Sequence, residues 1–308
     1  MMDNSAKEIE RSPLVSIIVV TYNSSMFIID TLDSVKNQNY GNIELIVTDD
    51  HSKDDTVALI EDWIKENAAS FVHCELVTSP VNSGITPNIN RALKYISGDW
   101  VKVLPGDDLL FPDSISNLLN CEIDANVGLI YSRARAFYKL QKMDGPAFGA
   151  ALAKPYERSL LLDNPIPAMA TLIRRDVVET LDGYDERYPF IDDYPMWFRI
   201  IKEKWEIKFL ECVTAGYRLH TQNISKSGYN PYYKSLYKFQ KENLLMKGLK
   251  YGFIYLTYTR YLDYLIYRIK EKLSHPTAIK VANGLNFLKP SFCWDYVKVR
   301  IGMDQNFH

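Results

Sequence analysis

Short runs of aliphatic and β-branched residues alternate with amphipathic segments over the first 131 residues, and this alternation constrains the fold more than any other feature. Residues 14–20 (LVSIIVV) and 43–48 (IELIVT) are continuous apolar runs of strand length, as a strand covered on both faces requires. Shorter runs at 74–77, 100–104 and 127–131 extend the series to five strands. Between them lie amphipathic stretches. Ile28, Leu32 and Val35 fall on one helical face, with Ser24 or Ser25 as the expected cap. Asp54 is the expected cap for a second helix striped by Val57, Ile60 and Ile64. Thr86-Pro87 starts a third, with Thr86 as the expected cap and Pro87 at the first helical position, and this helix is expected to run to about Ser97 before Gly98. Pro112-Asp113 opens a fourth. Strands that alternate with helices imply a doubly wound, mostly parallel α/β sheet, whose ligands sit beyond the carboxyl ends of the strands.

Beyond residue 131 the periodicity is weaker. Residues 133–158 read as a loop-rich insertion, 172–173 as a strand and 195–203 as a helix. Residues 232–273 form a dense helical pattern of Tyr, Leu, Ile and Lys. No internal repeat or low-complexity segment interrupts the chain.

Bulk properties narrow the function classes. With 308 residues, 47% hydrophobic and 24% charged, the chain has the composition of a soluble globular protein and can bury a sizeable core without metal or disulfide staples. Cys74, Cys121, Cys212 and Cys293 are scattered without a CxxC pair, which suits a reducing compartment. The polar opening MMDNSAKEIERSP does not read as a secretory leader, and no apolar run reaches membrane-spanning length. The expected location is therefore cytoplasmic. Net charge is −2 but uneven: residues 231–308 hold 13 Lys and Arg against 5 Asp and Glu, a balance of +8. Such asymmetry points to an anionic partner for the tail. No nucleic-acid-binding module is recognisable, and residues 232–273 read either as amphipathic helices that pack on the body or on a second subunit, or as a basic, tyrosine-rich contact with the inner face of a membrane.

Three acidic pairs and one basic motif carry the candidate chemistry. Asp49-Asp50 follows the second strand. Adjacent side chains there point to opposite faces, so one of the two can meet a ligand. Tyr22, ending the first strand, offers a ring to stack on a base. A carboxylate beside it would select a base bearing an N–H. Asp107-Asp108 follows the fourth strand and Gly106, where oxygen ligands could hold magnesium or manganese with substrate phosphates. Asp192-Asp193 precedes Trp197 and Arg199 and contains a candidate general base. Tyr217-Arg218-Leu219-His220 could contact a diphosphate or a metal. Each pair on its own also reads as a polar turn or a helix N-terminus.

Taken together, the segments resemble glycosyltransferase family 2. The resemblance runs through VSIIVVTYN (15–23), VTDDHSKDDT (47–56), VNSGITPNINRAL (81–93), SGDWVKVLPGDDLLFPD (97–113), GYDERYPFIDDYPMWFRI (183–200) and YRLHTQNISKS (217–227). It covers residues 14–227 and implies a GT-A, Rossmann-like domain with a nucleotide-binding half (14–131), an acceptor half (132–227) and a helical extension (228–308). It also implies roles. Thr21, Tyr22, Asp50 and Asp107 would meet the nucleotide. Asp108, with His220 as a secondary candidate, would hold a divalent metal, Mn2+ or Mg2+. Asp193 would be the catalytic base, supported by Asp192, which stands where the family usually has Glu, and by Arg218. The implied reaction is an inverting transfer from a nucleotide-sugar, a UDP-sugar foremost, to a glycan or lipid-linked acceptor in bacterial surface-polysaccharide assembly. Alternatives within the resemblance are a polyprenyl-phosphate glycosyltransferase and a non-catalytic nucleotide-sugar-binding protein. Three positions depart from the family pattern: Pro105 where an acid is common, His51 where Gly is common, and Ile89 where Arg is common.

Overall fold

The computed structural model describes residues 12–121, 123–140, 143–162, 164–221, 223, 230–250, 252, 258, 261 and 265. Two compact units divide the chain, Met1–Tyr232 and Tyr233–His308.

Among the described residues of the first unit, nine strands form one sheet. They are β1 (Val15–Thr21), β2 (Ile43–Asp49), β3 (His73–Thr78), β4 (Trp100–Pro105), β5 (Leu109–Leu110), β6 (Val127–Phe137), β7 (Ala147–Phe148), β8 (Thr171–Arg174) and β9 (Glu206–Arg218). The order is β3-β2-β1-β4-β8-β6-β9-β5, with β7 beside β6. Strands β3, β2, β1 and β4 are mutually parallel, whereas β8 runs antiparallel to β4 and β6. From β1 the chain adds β2 and β3 on one side and then crosses back to add β4 on the other, so the carboxyl ends of these parallel strands open into a crevice at β1.

The expected alternation is observed. Helices α1 (Ile28–Lys36), α2 (Thr56–Asn67), α3 (Ile85–Ala92) and α4 (Ser114–Leu119) connect the parallel strands. Ile28, Leu32 and Val35 of α1 are fully buried in one cluster with Val15, Ile17, Val19, Leu45 and Val47. Each such side chain stabilises the fold by roughly 1.5–3 kcal/mol. In α2 the buried face is Thr56, Ile60, Trp63 and Asn67, rotated toward Trp63, whose indole donates to Asp33 at 2.8 Å. The N-cap position of α2 is Asp55, which makes no side-chain cap bond, and Asp54, the expected cap, stands one residue earlier and accepts the Thr56 N–H at 3.1 Å. Neither Ser24 nor Ser25 caps α1 through its side chain, since the Ser24 carbonyl accepts the N–H groups of Phe27 and Ile28 instead.

Two expectations change. Helix α3 ends at Ala92 rather than near Ser97, because Ser97 and Gly98 donate to the buried Glu44 carboxylate on β2. The strand expected over 127–131 continues to Phe137 and so enters the stretch 133–158, whose other described residues are loop-rich as expected apart from β7 and the start of α5 (Tyr156–Leu162). Arg133 and Arg135 mask a strand in which Ala134 and Ala136 alternate inward, and β6 pairs in parallel with β9 along its length. β6 thus runs across residue 131, and the two halves share one sheet. α6 (Arg175–Thr180) follows β8, and α7 (Asp193–Lys202) precedes β9.

The described part of the tail is helical: α8 (Asn230–Phe239), a π-helical turn Gln240–Leu244 and α9 (Leu245–Lys250), with Tyr258, Tyr261 and Leu265 also helical. The rest of the basic segment 232–273 lies outside the described residues. None of the described helices is long and apolar enough to cross a membrane. Cys74, Cys121 and Cys212 are free and half-buried, and burial pushes the Cys74 thiol up to about 11.

Candidate active site

A cleft of about 520 Å³ opens beyond the carboxyl ends of β1, β2 and β4, and its walls include Thr21, Tyr22, Asp50, Asp107, Asp192 and His220. Six of the nine residues singled out from the sequence therefore meet at one opening. The other three, Asp108, Asp193 and Arg218, stand directly beside lining residues.

On the β1–β2 side, Tyr22 is 45% exposed and presents its ring to the opening. The Thr21 hydroxyl donates to the buried Asp49 at 2.8 Å, and Asp49 also accepts the Ser52 N–H. Asp49 thus braces the turn and Asp50 is the member facing the cleft, as strand alternation requires. His51 occupies the position where the family pattern favours glycine, and its φ of +72° is the left-handed conformation that glycine adopts without cost. Asp50 Oδ2 accepts the N–H groups of Ser83 at 2.8 Å and Gly84 at 2.7 Å, and Oδ1 accepts the Ser83 hydroxyl at 2.8 Å. Arg91 Nη2 lies 3.4 Å from Oδ1. A base N–H meeting Asp50 would have to displace one of these donors. Ile89, the departure from the family pattern, is buried in the core. The cation beside Asp50 comes instead from Arg91, one helical turn after the cleft residue Asn88, to which it donates at 2.6 Å. Sequence reasoning missed Arg91. Its spacing from Asn88 on α3 was the available signal.

The acidic turn after β4 is packed tightly against β1. A Cβ on Gly106 would approach the Thr21 methyl to 2.8 Å, so only glycine fits there. Asp107 Oδ2 faces His220 Nε2 at 2.8 Å, and the His220 ring lies against Phe27 with centroids 4.6 Å apart. Asp108 is buried. Its Oδ1 accepts the Arg218 N–H at 2.9 Å, while Oδ2 has no hydrogen-bond partner among the described residues. Burial, reinforced by Asp107, pushes the Asp108 carboxyl well above its usual range. The Arg218 guanidinium lies between the Phe27 and Phe137 rings, 4.9 Å from each centroid, and donates to the Asp107 carbonyl and to Asp30. It shapes the turn from behind.

No three-residue cluster of His, Cys, Asp and Glu among the described residues forms a ready cation site. The orphaned Asp108 Oδ2, with Asp107 and His220 alongside, still fits a hard cation that takes one or two protein ligands and completes its shell with phosphate oxygens and water.

Across the cleft, Asp192 lines the wall and Asp193 begins α7. Burial, then the neighbouring Asp193, pushes Asp192 up to about 7. Burial also raises Asp193, opposed by nearby backbone N–H groups and by Asn164, whose Nδ2 donates to Asp193 Oδ2 at 2.8 Å. Asn164 was not legible from the sequence, since it lies 29 residues away on another segment.

Comparison with known proteins identifies the family and the fold. The family model described as Glycosyl transferase family 2 matches residues 16–180. The chain is 26% identical over 219 residues to the Escherichia coli UDP-Glc:alpha-D-GlcNAc-diphosphoundecaprenol beta-1,3-glucosyltransferase WfgD, covering 70% of this chain and 80% of WfgD. Among solved structures, the mannosyltransferase PcManGT from Pyrobaculum calidifontis, in complex with GDP-Man and Mn2+, aligns with a TM-score of 0.59 at 18% identity, over 94% of this chain and 85% of that one. S. aureus TarS aligns with a TM-score of 0.55 at 18% identity over 74% of this chain, which spans 39% of the TarS chain. The family match extends over more than half of the sequence, and the chain belongs to glycosyltransferase family 2, as a glycosyltransferase on the GT-A fold.

Proposed function

We propose that the protein transfers a sugar from a nucleotide-sugar, a UDP-sugar foremost, to a hydroxyl of a glycan or lipid-linked acceptor, with inversion at the anomeric carbon. One observation carries this reading: a single cleft gathers an exposed ring and a carboxylate (Tyr22, Asp50), an acid–imidazole pair (Asp107, His220) and a third carboxylate (Asp192). Tyr22 stacks on the base and Asp50 accepts its N–H, which suits uracil and extends to guanine and thymine. Asp107 meets the ribose. Asp108, with His220, would hold Mn2+ or Mg2+, whose charge would offset that of the departing diphosphate when bound.

Asp193 takes the proton from the acceptor hydroxyl as that oxygen bonds to the anomeric carbon. The bond from that carbon to the diphosphate oxygen breaks, and the nucleoside diphosphate leaves. One base suffices because no covalent intermediate forms. A second reading gives the proton to Asp192, and its place on the cleft wall with a carboxyl poised near neutrality favours it. The activity of the relative WfgD on a diphosphoundecaprenol-linked sugar supports a lipid-linked acceptor and a place in surface-polysaccharide assembly. The test is a panel of UDP-, GDP- and dTDP-sugars, scored for thermal stabilisation and nucleotide release with and without Mn2+. Stabilisation and release with a UDP-sugar support the reading, and silence across the panel overturns it.

A further inference from the structure

Helix α3 does more than border the nucleotide side of the cleft. Thr86, expected to cap it, is fully buried and uses its hydroxyl elsewhere: Oγ1 donates to the Tyr188 carbonyl at 2.9 Å, across 102 residues of sequence. Its N–H donates to the Pro189 carbonyl at 3.1 Å. One turn further, Asn90 brackets the backbone of Tyr184, its amide donating to the Tyr184 carbonyl and accepting the Tyr184 N–H, both at 2.8 Å. Thr86 and Asn90 stand four residues apart and so share a face of the helix. Gly84, at φ +100°, lets the helix start close in, because a Cβ there would come within 2.6 Å of the Pro189 carbonyl oxygen. The segment held in this way leads directly to Phe190 and Asp192 on the cleft wall and to Asp193 at the start of α7. The same short helix presents Gly84 and Asn88 to the cleft, and Gly84 donates to Asp50.

We infer that Thr86 is a positioning residue for the transfer: with Asn90, it fixes the segment Tyr184–Pro189 to α3 and so sets where the Asp192–Asp193 carboxylates stand relative to the donor. This rests on the reading that the base belongs to that pair. The Tyr188 carbonyl, buried with its residue, accepts the Thr86 hydroxyl and the Ile191 N–H. Without the hydroxyl the segment loses one of its two ties through Thr86, and a small displacement of a base is costly to a reaction that depends on alignment.

The decisive comparison is Thr86→Val, which keeps the shape and removes the donor, against Thr86→Ser, which restores it. Three quantities are read on the full chain: UDP release from UDP-glucose and UDP-N-acetylglucosamine, UDP affinity by calorimetry with Mn2+, and hydrogen exchange over residues 183–193. Thr86→Val should lower kcat roughly 10- to 100-fold, with donor KM and UDP affinity within about twofold of wild type, and speed exchange in the segment on the order of tenfold. Thr86→Ser should recover most of both. Wild-type kcat and exchange in Thr86→Val would overturn the inference. So would a loss of UDP affinity that matches the loss of kcat, because that places the role on the nucleotide side. If Thr86→Val does not fold, Asn90→Asp, which keeps the acceptor and loses the donor to Tyr184, is read in the same way. If the wild type releases UDP from neither donor, the donor reading has failed, and the exchange comparison still decides the clamp.

Discussion

The main-chain N–H of Arg218 lies 2.9 Å from Oδ1 of Asp108, which ties the end of β9 to the acidic turn after β4. The Arg218 side chain completes the tie through Asp107, Asp30 and two aromatic rings. Arg218→Ala should therefore cost roughly 2–4 kcal/mol in urea unfolding, through lost charge-assisted bonds and lost packing. Arg218→Lys should recover little, because an ammonium cannot fork to two acceptors while lying flat between rings. An unchanged urea midpoint in Arg218→Ala would refute this support role.

Asp108→Asn tests the cation ligand apart from the fold. Oδ1 can still be replaced by an amide oxygen that accepts the Arg218 N–H, so the unfolding midpoint should hold. Mn2+-dependent UDP affinity should fall at least tenfold, because a neutral amide is a poor ligand for a hard cation. Calorimetry with UDP, with and without Mn2+, checks this, and equal metal dependence in variant and wild type would remove Asp108 from the site.

Asp193→Asn should cut turnover by about 10²–10⁴, the usual range for a general base, with donor affinity little changed. If Asp192→Asn has that effect and Asp193→Asn does not, the cleft-lining carboxylate is the base. Because Asp192 is pushed up to about 7, the ionised pair is completed only near neutrality, and the wild-type rate should fall as pH drops below it. The stability sign is the reverse. A carboxyl raised in the folded state costs stability as pH climbs from its unfolded value through 7, and Asp192→Asn should relieve that cost above 7. Paired pH–rate and pH–unfolding curves separate the two effects.

Lys102 supplies an independent pH signature. It is fully buried in β4, donates to the carbonyls of Met169 at 2.8 Å and Thr171 at 3.2 Å, and burial lowers its ammonium to about 7. Between pH 7 and the unfolded lysine value the unfolded chain binds the extra proton, so wild-type stability should gain about 1.4 kcal/mol per pH unit from this group. Lys102→Met should lack that gain. The readout is the difference between the two proteins' urea stabilities at pH 7.5, 8.5 and 9.5, and a difference independent of pH would refute it.

The basic, tyrosine-rich segment 232–273 should carry the protein to anionic liposomes at low salt and release it as salt rises, since each basic residue contributes about 1 kcal/mol near such a surface and screening shortens its reach. Deleting residues 233–308 should abolish co-sedimentation and leave some donor hydrolysis. An intact chain that ignores anionic liposomes at low salt would assign the segment to protein packing instead.

The parallel half of the sheet was legible in the sequence because strands covered on both faces must be apolar throughout, as residues 14–20 and 43–48 are. The acidic pairs were legible as well, since each follows a strand or opens a helix and lies in a motif of known order. Local order did not reveal the partners. β9 pairs with β6 across some 80 residues and through register shifts, and its alternating polar residues hid it. Thr86 was expected to cap its helix, yet its hydroxyl reaches the Tyr188 carbonyl, and Lys102 lies inside an apolar run, where its ammonium is held by buried carbonyls. Asp107 and Asp108 are neighbours in sequence, yet one faces the cleft at His220 and the other turns inward to Arg218, across 113 and 110 residues. Periodicity and turn chemistry act over a few residues and can be read from a chain. The choice among possible hydrogen-bond partners depends on which distant segments packing brings together, and only the tertiary structure decides that.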